Sequence, residues 1–226
     1  MENTKKAVVL LSGGLDSTTA LHLAKSKGFE LYALTLNYGQ KNVVEMQKAK
    51  KQVELAGVKK HFVVDMQMNQ WGGSALTDDS MPVQEGQPDS HEIPTTYVPA
   101  RNMVFLSMAA SVAEAVGAQD IFIGVSQVDF SGYVDCREEF IEAMEKSINQ
   151  GTVCAVINNK PIKVNAPFIN FTKADEIKLG IELGIDYKYT HTCYAPVEKP
   201  CGKCDSCLLR AKAFAEVGIA DPALQS

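Results

Sequence analysis

The stretch Ala7-Val8-Val9-Leu10-Leu11-Ser12-Gly13-Gly14-Leu15-Asp16-Ser17 joins an apolar run to a turn rich in glycine and hydroxyls. The run reads as a buried strand, and residues 18–27 favour a helix. A turn in that setting suits phosphate. Two glycines let the backbone bend close to an anion, and the following helix offers free N–H groups and the positive end of its dipole. Ser12 and Ser17 add hydroxyl donors. Asp16 is a poor neighbour for a bare phosphate, so it points to a divalent cation, Mg²⁺, bridging carboxylate and phosphate oxygens. The plainer reading is a glycine turn closing a strand-to-helix connection; the strand–loop–helix setting favours the phosphate loop. The spacing is not that of Gly-x-x-x-x-Gly-Lys-Ser/Thr.

Outward from this loop the pattern alternates. Strands are predicted over residues 31–36, 61–64, 120–125 and 161–164, and helices over 42–56, 102–116, 136–149 and 172–183, three of them stopped by Gly57, Gly117 and Gly184. This order implies an α/β, Rossmann-like doubly wound parallel sheet with ligands gathered at the carboxyl ends of its strands. Residues 66–99 lack periodicity and carry Pro82, Pro88, Pro94 and Pro99. That stretch is too long for a plain connector and reads as a lid or a locally disordered segment.

A chain of 226 residues, 46% hydrophobic, can bury one substantial core and carry a small appendage. We expect a catalytic domain over 1–188 and a tail over 189–226. Five apolar residues before Ser12 are too few for a signal-peptide core or a membrane span, so a cytoplasmic protein is expected. The net charge of −5, without a long Lys/Arg block, argues against a broad nucleic-acid footprint and favours a small-molecule acceptor.

Three cations stand where helices begin: Arg101, Arg137 and Lys173. Helix starts prefer anions. A bound anion would offset the misfit, with Lys173 suited to pyrophosphate as a point charge and Arg101 or Arg137 to a substrate carboxylate through a forked pair of hydrogen bonds. Surface ion pairing is the bland alternative. Asp135 and Glu138 have the spacing of a capping box and carry equal weight as structural residues. Cys136 reads as packing or substrate contact rather than a nucleophile.

Four of the six cysteines, Cys193, Cys201, Cys204 and Cys207, fall in one C-terminal run spaced Cys-x7-Cys-x2-Cys-x2-Cys. Thiolates at this density suit tetrahedral Zn²⁺, which could fold a loop-rich tail too small for its own core. An iron–sulfur cluster is the lesser alternative. Cys136 and Cys154 are left outside the group.

The Ser-Gly-Gly-x-Asp-Ser pattern resembles the PP-loop of ATP pyrophosphatases, which implies adenylate transfer to an acceptor oxygen. Joined to the cysteine tail, it resembles the 7-cyano-7-deazaguanine synthase family of queuosine biosynthesis. That resemblance runs nearly end to end, through Asn37-Tyr38-Gly39-Gln40, Val98-Pro99-Ala100-Arg101-Asn102, Asp129-Phe130-Ser131-Gly132-Tyr133, Asp135-Cys136-Arg137 and Cys204-Asp205-Ser206-Cys207-Leu208-Leu209-Arg210. Val134 stands where the family usually has Pro, and His191 where Trp is frequent. The resemblance implies conversion of 7-carboxy-7-deazaguanine and ammonia to the nitrile through adenylated carboxylate and amide intermediates. It implies ATP with Mg²⁺ as substrate, one structural Zn²⁺ per chain, and a homodimer. ATP is expected on Leu11, Ser12, Gly13, Gly14, Leu15, Asp16, Ser17, Thr18 and Leu36. The acceptor is expected on Tyr38, Gln40, Arg101, Asn102, Asp135 and Arg137. Asp16, Ser17, Lys173, Arg101 and Arg137 form the expected catalytic set. A PP-loop tRNA-modifying enzyme and a non-catalytic zinc-containing interaction module are the rival readings.

Overall fold

The structure, a computed structural model, describes residues 4–83, 86, 93–126 and 133–224. Five parallel strands form one sheet: β1 (Lys6–Leu10), β2 (Glu30–Asn37), β3 (Lys60–Asp65), β4 (Asp120–Phe122) and β5 (Lys163–Asn165), in the order β3-β2-β1-β4-β5. The helices are α1 (Leu15–Ser26), α2 (Val44–Ala56), α3 (Arg101–Val116), α4 (Glu138–Gly151), α5 (Val153–Val156), α6 (Lys173–Glu182) and α7 (Asp205–Val217).

Period-two alternation along β1 explains why both sheet faces are covered. Val8 and Leu10 point to a core shared with Leu106, Ala109, Ala113 and Ile141 of α3 and α4. Ala7, Val9 and Leu11 point to the opposite core, with Ala20, Leu21 and Ala24 of α1 and Ala49 of α2. A strand buried on both faces reads as a continuous apolar run, which is how β1 appears in the sequence. The chain winds from β1 outward to β3, then returns to place β4 on the other side of β1. The crevice opened by that reversal, beyond the carboxyl ends of β1 and β4, is where such sheets bind ligands.

Several predicted bounds shift. Helix α1 starts at Leu15, inside the glycine loop, rather than at residue 18. The strand expected over 120–125 ends at Phe122; beyond it Ile123 N–H still donates to Asn165 O, and Ser126 makes an isolated parallel bridge with Phe168. The helix expected from residue 136 begins at Glu138. Arg137 before it is extended, and Val134–Cys136 forms a separate 3₁₀ turn. Thr172 and Asp175, not Asp135 and Glu138, form a capping box, at α6.

The tail carries a helix that the sequence reading did not place. Cys204 is the N-cap of α7, a helix of 13 residues whose Ala213 and Phe214 pack with Ile177 of α6 and Leu15 of α1. Arg210 clasps this helix to the body: its Nε and Nη2 donate to Asp221 at 2.7 and 2.8 Å, and Nη1 to Thr190 Oγ1 at 2.8 Å. No helix among the described residues is long and apolar enough to cross a membrane.

Candidate active site

A cavity of about 250 Å³ opens at the β1/β4 crevice. Its floor is the phosphate-loop candidate. Gly13 has a φ of +95°, and a Cβ there would stand 2.1 Å from Glu45 O and 2.7 Å from Ala49 N, so only glycine lets α2 press against the loop. Gly124, after β4, is equally constrained: its Cβ would meet Asp16 C at 2.7 Å and Ser17 N at 2.8 Å. Ser17 Oγ gathers the loop, accepting from Ser12 N–H at 3.2 Å and Gly13 N–H at 3.3 Å and lying 3.0 Å from Ser12 Oγ. Gly14, the N-cap of α1, has no side chain with which to cap it, which leaves the helix start suited to an anion.

Lys173 opens α6 and reaches this floor. Its Nζ lies 2.7 Å from Asp16 Oδ2 and 3.3 Å from Glu176 Oε2, and the Glu176 side chain is fully buried. The three residues therefore fix one another at the rim of the loop. Leu11, Ser12, Gly14, Leu15, Asp16, Ser17 and Leu36 line the cavity, whereas Gly13 and Thr18 lie behind its wall.

The opposite wall carries Arg101. Ala100, at φ 53°, adopts a left-handed conformation costly for a residue with a Cβ, and this bend delivers Arg101 into the first turn of α3. The guanidinium lies over the rings of Tyr38 and Phe105 at 5.8 and 5.9 Å, with Nη1 3.4 Å from Tyr38 Oη. Among the described residues its buried Nε has no hydrogen-bond partner and no carboxylate forms an ion pair with it. A desolvated guanidinium with donors to spare is suited to a carboxylate ligand.

Asp135 and Asn102 act together. Asp135 Oδ2 accepts from Asn102 N–H at 2.9 Å, so it caps α3 across 33 residues rather than its own helix. Asn102 Nδ2 returns to Asp135 O at 3.1 Å and to Cys136 Sγ at 3.3 Å. Gln40 is turned back onto Tyr38 N–H at 2.9 Å, closing the turn beside the cavity it lines. Arg137 stands apart: it is exposed, its Nε donates to Val134 O at 3.1 Å, and it does not line the cavity. Residues 129–132 of the family-like motif lie outside the described residues.

Sequence reasoning missed Glu45, Phe105, Tyr194 and Thr35, all in the wall. Glu45 lies in the first turn of α2, where an acid ordinarily serves the helix dipole. Here burial pushes its carboxyl up to about 8, against the pull of Arg101 and with a further push from Asp16.

The four cysteine sulfurs of the tail lie within 4.8 Å of one another. Cys201 Sγ accepts from Lys203 N–H and Cys204 N–H, both at 3.4 Å, and Cys193 Sγ from Cys201 N–H at 3.3 Å. Hydrogen bonds from Cys193 and Cys207 hold the Cys204 thiol well below its ordinary range. An all-sulfur donor set this compact fits a tetrahedral thiophilic metal. The group borders the cavity, since Cys193 and Tyr194 line both. Residues 66–83 and 93–99 of the proline-punctuated stretch are docked here: Leu76 and Val98 pack on Tyr38, Val83 packs on the cysteines, and Gly86 N–H donates to Lys203 O at 2.8 Å.

A family model described as "Queuosine biosynthesis protein QueC" matches residues 6–218. The chain belongs to the QueC family. A 7-cyano-7-deazaguanine synthase of Clostridium kluyveri is 60% identical to this QueC-family chain over 218 residues, covering 96% of each. That of Syntrophotalea carbinolica is 51% identical over 222 residues, covering 97% of this chain and 96% of its own. Among solved structures, the NMN synthetase from Francisella tularensis shares the fold at a TM-score of 0.54 and 15% identity, covering 98% of this chain and 82% of that one.

Proposed function

We propose that this QueC-family chain is an ATP-dependent ligase that converts 7-carboxy-7-deazaguanine and ammonia to 7-cyano-7-deazaguanine, by adenylating the carboxylate and then the amide. The observation that carries the reading is the pairing of two anion sites across one cavity: the Ser12–Ser17 loop on one side and, on the other, the Arg101 guanidinium, which has no carboxylate partner among the described residues.

In this reading the loop N–H groups, Ser12, Ser17 and Lys173 hold the phosphates of ATP, and Asp16 is the residue that would hold Mg²⁺. Lys173 then lies where charge builds on the leaving pyrophosphate. Arg101 holds the carboxylate, and Tyr38 and Phe105 give the planar base an apolar wall. Leu11 and Leu36 flank the adenosine. Asn102 and Asp135 orient Arg101 through the start of α3. Rate arises from positioning two anions that would otherwise repel each other and from stabilising charge on the departing oxygen. Cys193, Cys201, Cys204 and Cys207 would hold one Zn²⁺, which braces the wall containing Tyr194.

The reading includes a cytoplasmic homodimer with small-molecule substrates and no nucleic-acid partner. Its test is incubation of purified protein with 7-carboxy-7-deazaguanine, ATP, Mg²⁺ and ammonium, with mass analysis of the base: ATP-dependent nitrile supports it, and an unchanged acid overturns it.

A further inference from the structure

The side chain of Glu45 is the one acid of the cavity wall whose placement the proposed ATP and carboxylate sites do not use. Its helix is packed against the Ser12–Ser17 loop, with Glu45 O beside Gly13, so this turn of α2 cannot shift without the loop moving too. The carboxylate makes no hydrogen bond with any described residue. By contrast, Asp16 is paired with Lys173, Asp135 with Asn102, and Asp221 with Arg210. The charged groups that line the cavity with Glu45 are Arg101 of α3, Asp16 of α1 with Lys173 of α6 upon it, and Arg210 of α7, which is held by Asp221. Two of them define the ends of the adenylated carboxylate: Arg101 marks the acyl group and Asp16 the phosphate. Glu45 lines the same cavity as both, which puts its carboxylate within the space the acyl group would share.

We infer that Glu45 is the general base for the amination step, accepting a proton from the nitrogen as ammonia attacks the adenylated carboxylate. This rests on the proposed function. The nitrogen lone pair forms the C–N bond while the carbonyl π electrons move to oxygen, leaving a positively charged nitrogen. One N–H proton passes to the Glu45 carboxylate. The oxygen electrons then re-form the carbonyl, and the C–O bond to the adenylate breaks, with its electron pair leaving on AMP. Amide, AMP and protonated Glu45 result, so atoms and charge balance, and the proton is released to water before the next cycle. A carboxyl raised by burial is a stronger proton acceptor than an ordinary one and matches the range in which general bases work at neutral pH.

Glu45→Gln tests this. Pyrophosphate exchange into ATP with the carboxylate substrate reads adenylation and should stay within about threefold of the wild type, which also shows that the variant folds. Ammonium-dependent amide formation should fall by about a hundredfold or more, as expected for loss of a general base. Hydroxylamine gives an adduct whose nitrogen sheds its proton to water more readily, so it should restore acyl transfer in the variant to near its wild-type rate. Glu45→Asp, which keeps a carboxylate, should retain measurable ammonium use. Ammonium-dependent turnover within a few-fold of wild type in the Gln variant overturns the inference, as does equal loss of exchange and amination, or no rescue by hydroxylamine. Absence of exchange in the wild type would instead count against the adenylation reading itself.

Discussion

His191 donates its backbone N–H to Gly13 O at 3.0 Å, two residues before Cys193. The stretch that leads into the cysteine group is thus stitched to the Ser12–Ser17 loop, and Asn42 Nδ2, just before α2, donates to Cys193 O at 2.6 Å. The cysteine group and the Ser12–Ser17 loop share a wall.

Because of that shared wall, Cys204→Ser should lower metal content, thermal midpoint and ATP affinity together. Purified wild-type protein should hold about one Zn²⁺ per chain, as a closed four-thiolate site does. Cys154→Ser should leave zinc unchanged. Metal analysis and a thermal melt check both, and iron with labile sulfide in the wild type would contradict the zinc reading.

Asp16→Asn and Lys173→Met should each reduce ATP turnover by about a hundredfold or more, by analogy with loss of one preorganised charge. Their stabilities should differ. Asp16→Asn leaves Lys173 beside the buried Glu176, whereas Lys173→Met takes the cation away from both carboxylates and should be the less stable of the two. Urea unfolding of the two variants reads the contrast.

Arg101→Lys keeps the charge but loses the fork, so activity on the carboxylate should fall strongly. Supplying 7-amido-7-deazaguanine, which lacks the negative charge, should bypass part of the defect, while an Asp16 variant should fail on both. Arg137→Lys should be mild on both, given its exposed position and its bond to Val134 O. Equal loss on acid and amide in the Arg101 variant would assign that residue to the nucleotide or the fold.

Glu45 makes an alkaline prediction for the ligand-free protein. Its folded carboxyl is raised to about 8 from an ordinary 4.5, so the folded state holds the proton more tightly than the unfolded chain. That stabilisation is fully present below the unfolded value and is lost as pH rises through the folded one. Glu45→Gln, which cannot ionise, should therefore melt increasingly above the wild type between pH 5 and about 8, by about 2–4 °C for each kcal/mol. A constant difference in melting temperature across that range would contradict the sign.

The start of the fold was legible because its signals are local. Ala7–Leu11 reads as a strand buried on both faces, the Ser-Gly-Gly turn follows directly, and the cysteines announce themselves by spacing. Arg101 and Lys173 were legible as charges at the wrong end of helices, and both line the cavity. What was hidden depends on distant contacts. Asp135 looks like a cap for its own helix and instead caps α3. Glu45 looks like an ordinary acid of a helix start until Gly13 brings α2 against the loop. Helix α7 was obscured because its first turn is occupied by Cys207, read as a metal ligand before it was read as part of a helix.

The central claim is that the loop adenylates a carboxylate held across the cavity, and the measurement that reaches it most directly is oxygen transfer. With both carboxylate oxygens of 7-carboxy-7-deazaguanine labelled with oxygen-18, complete conversion should deliver both labels to AMP, one in each activation, and leave none in the nitrile. Label found in inorganic phosphate or water, with unlabelled AMP, would contradict it.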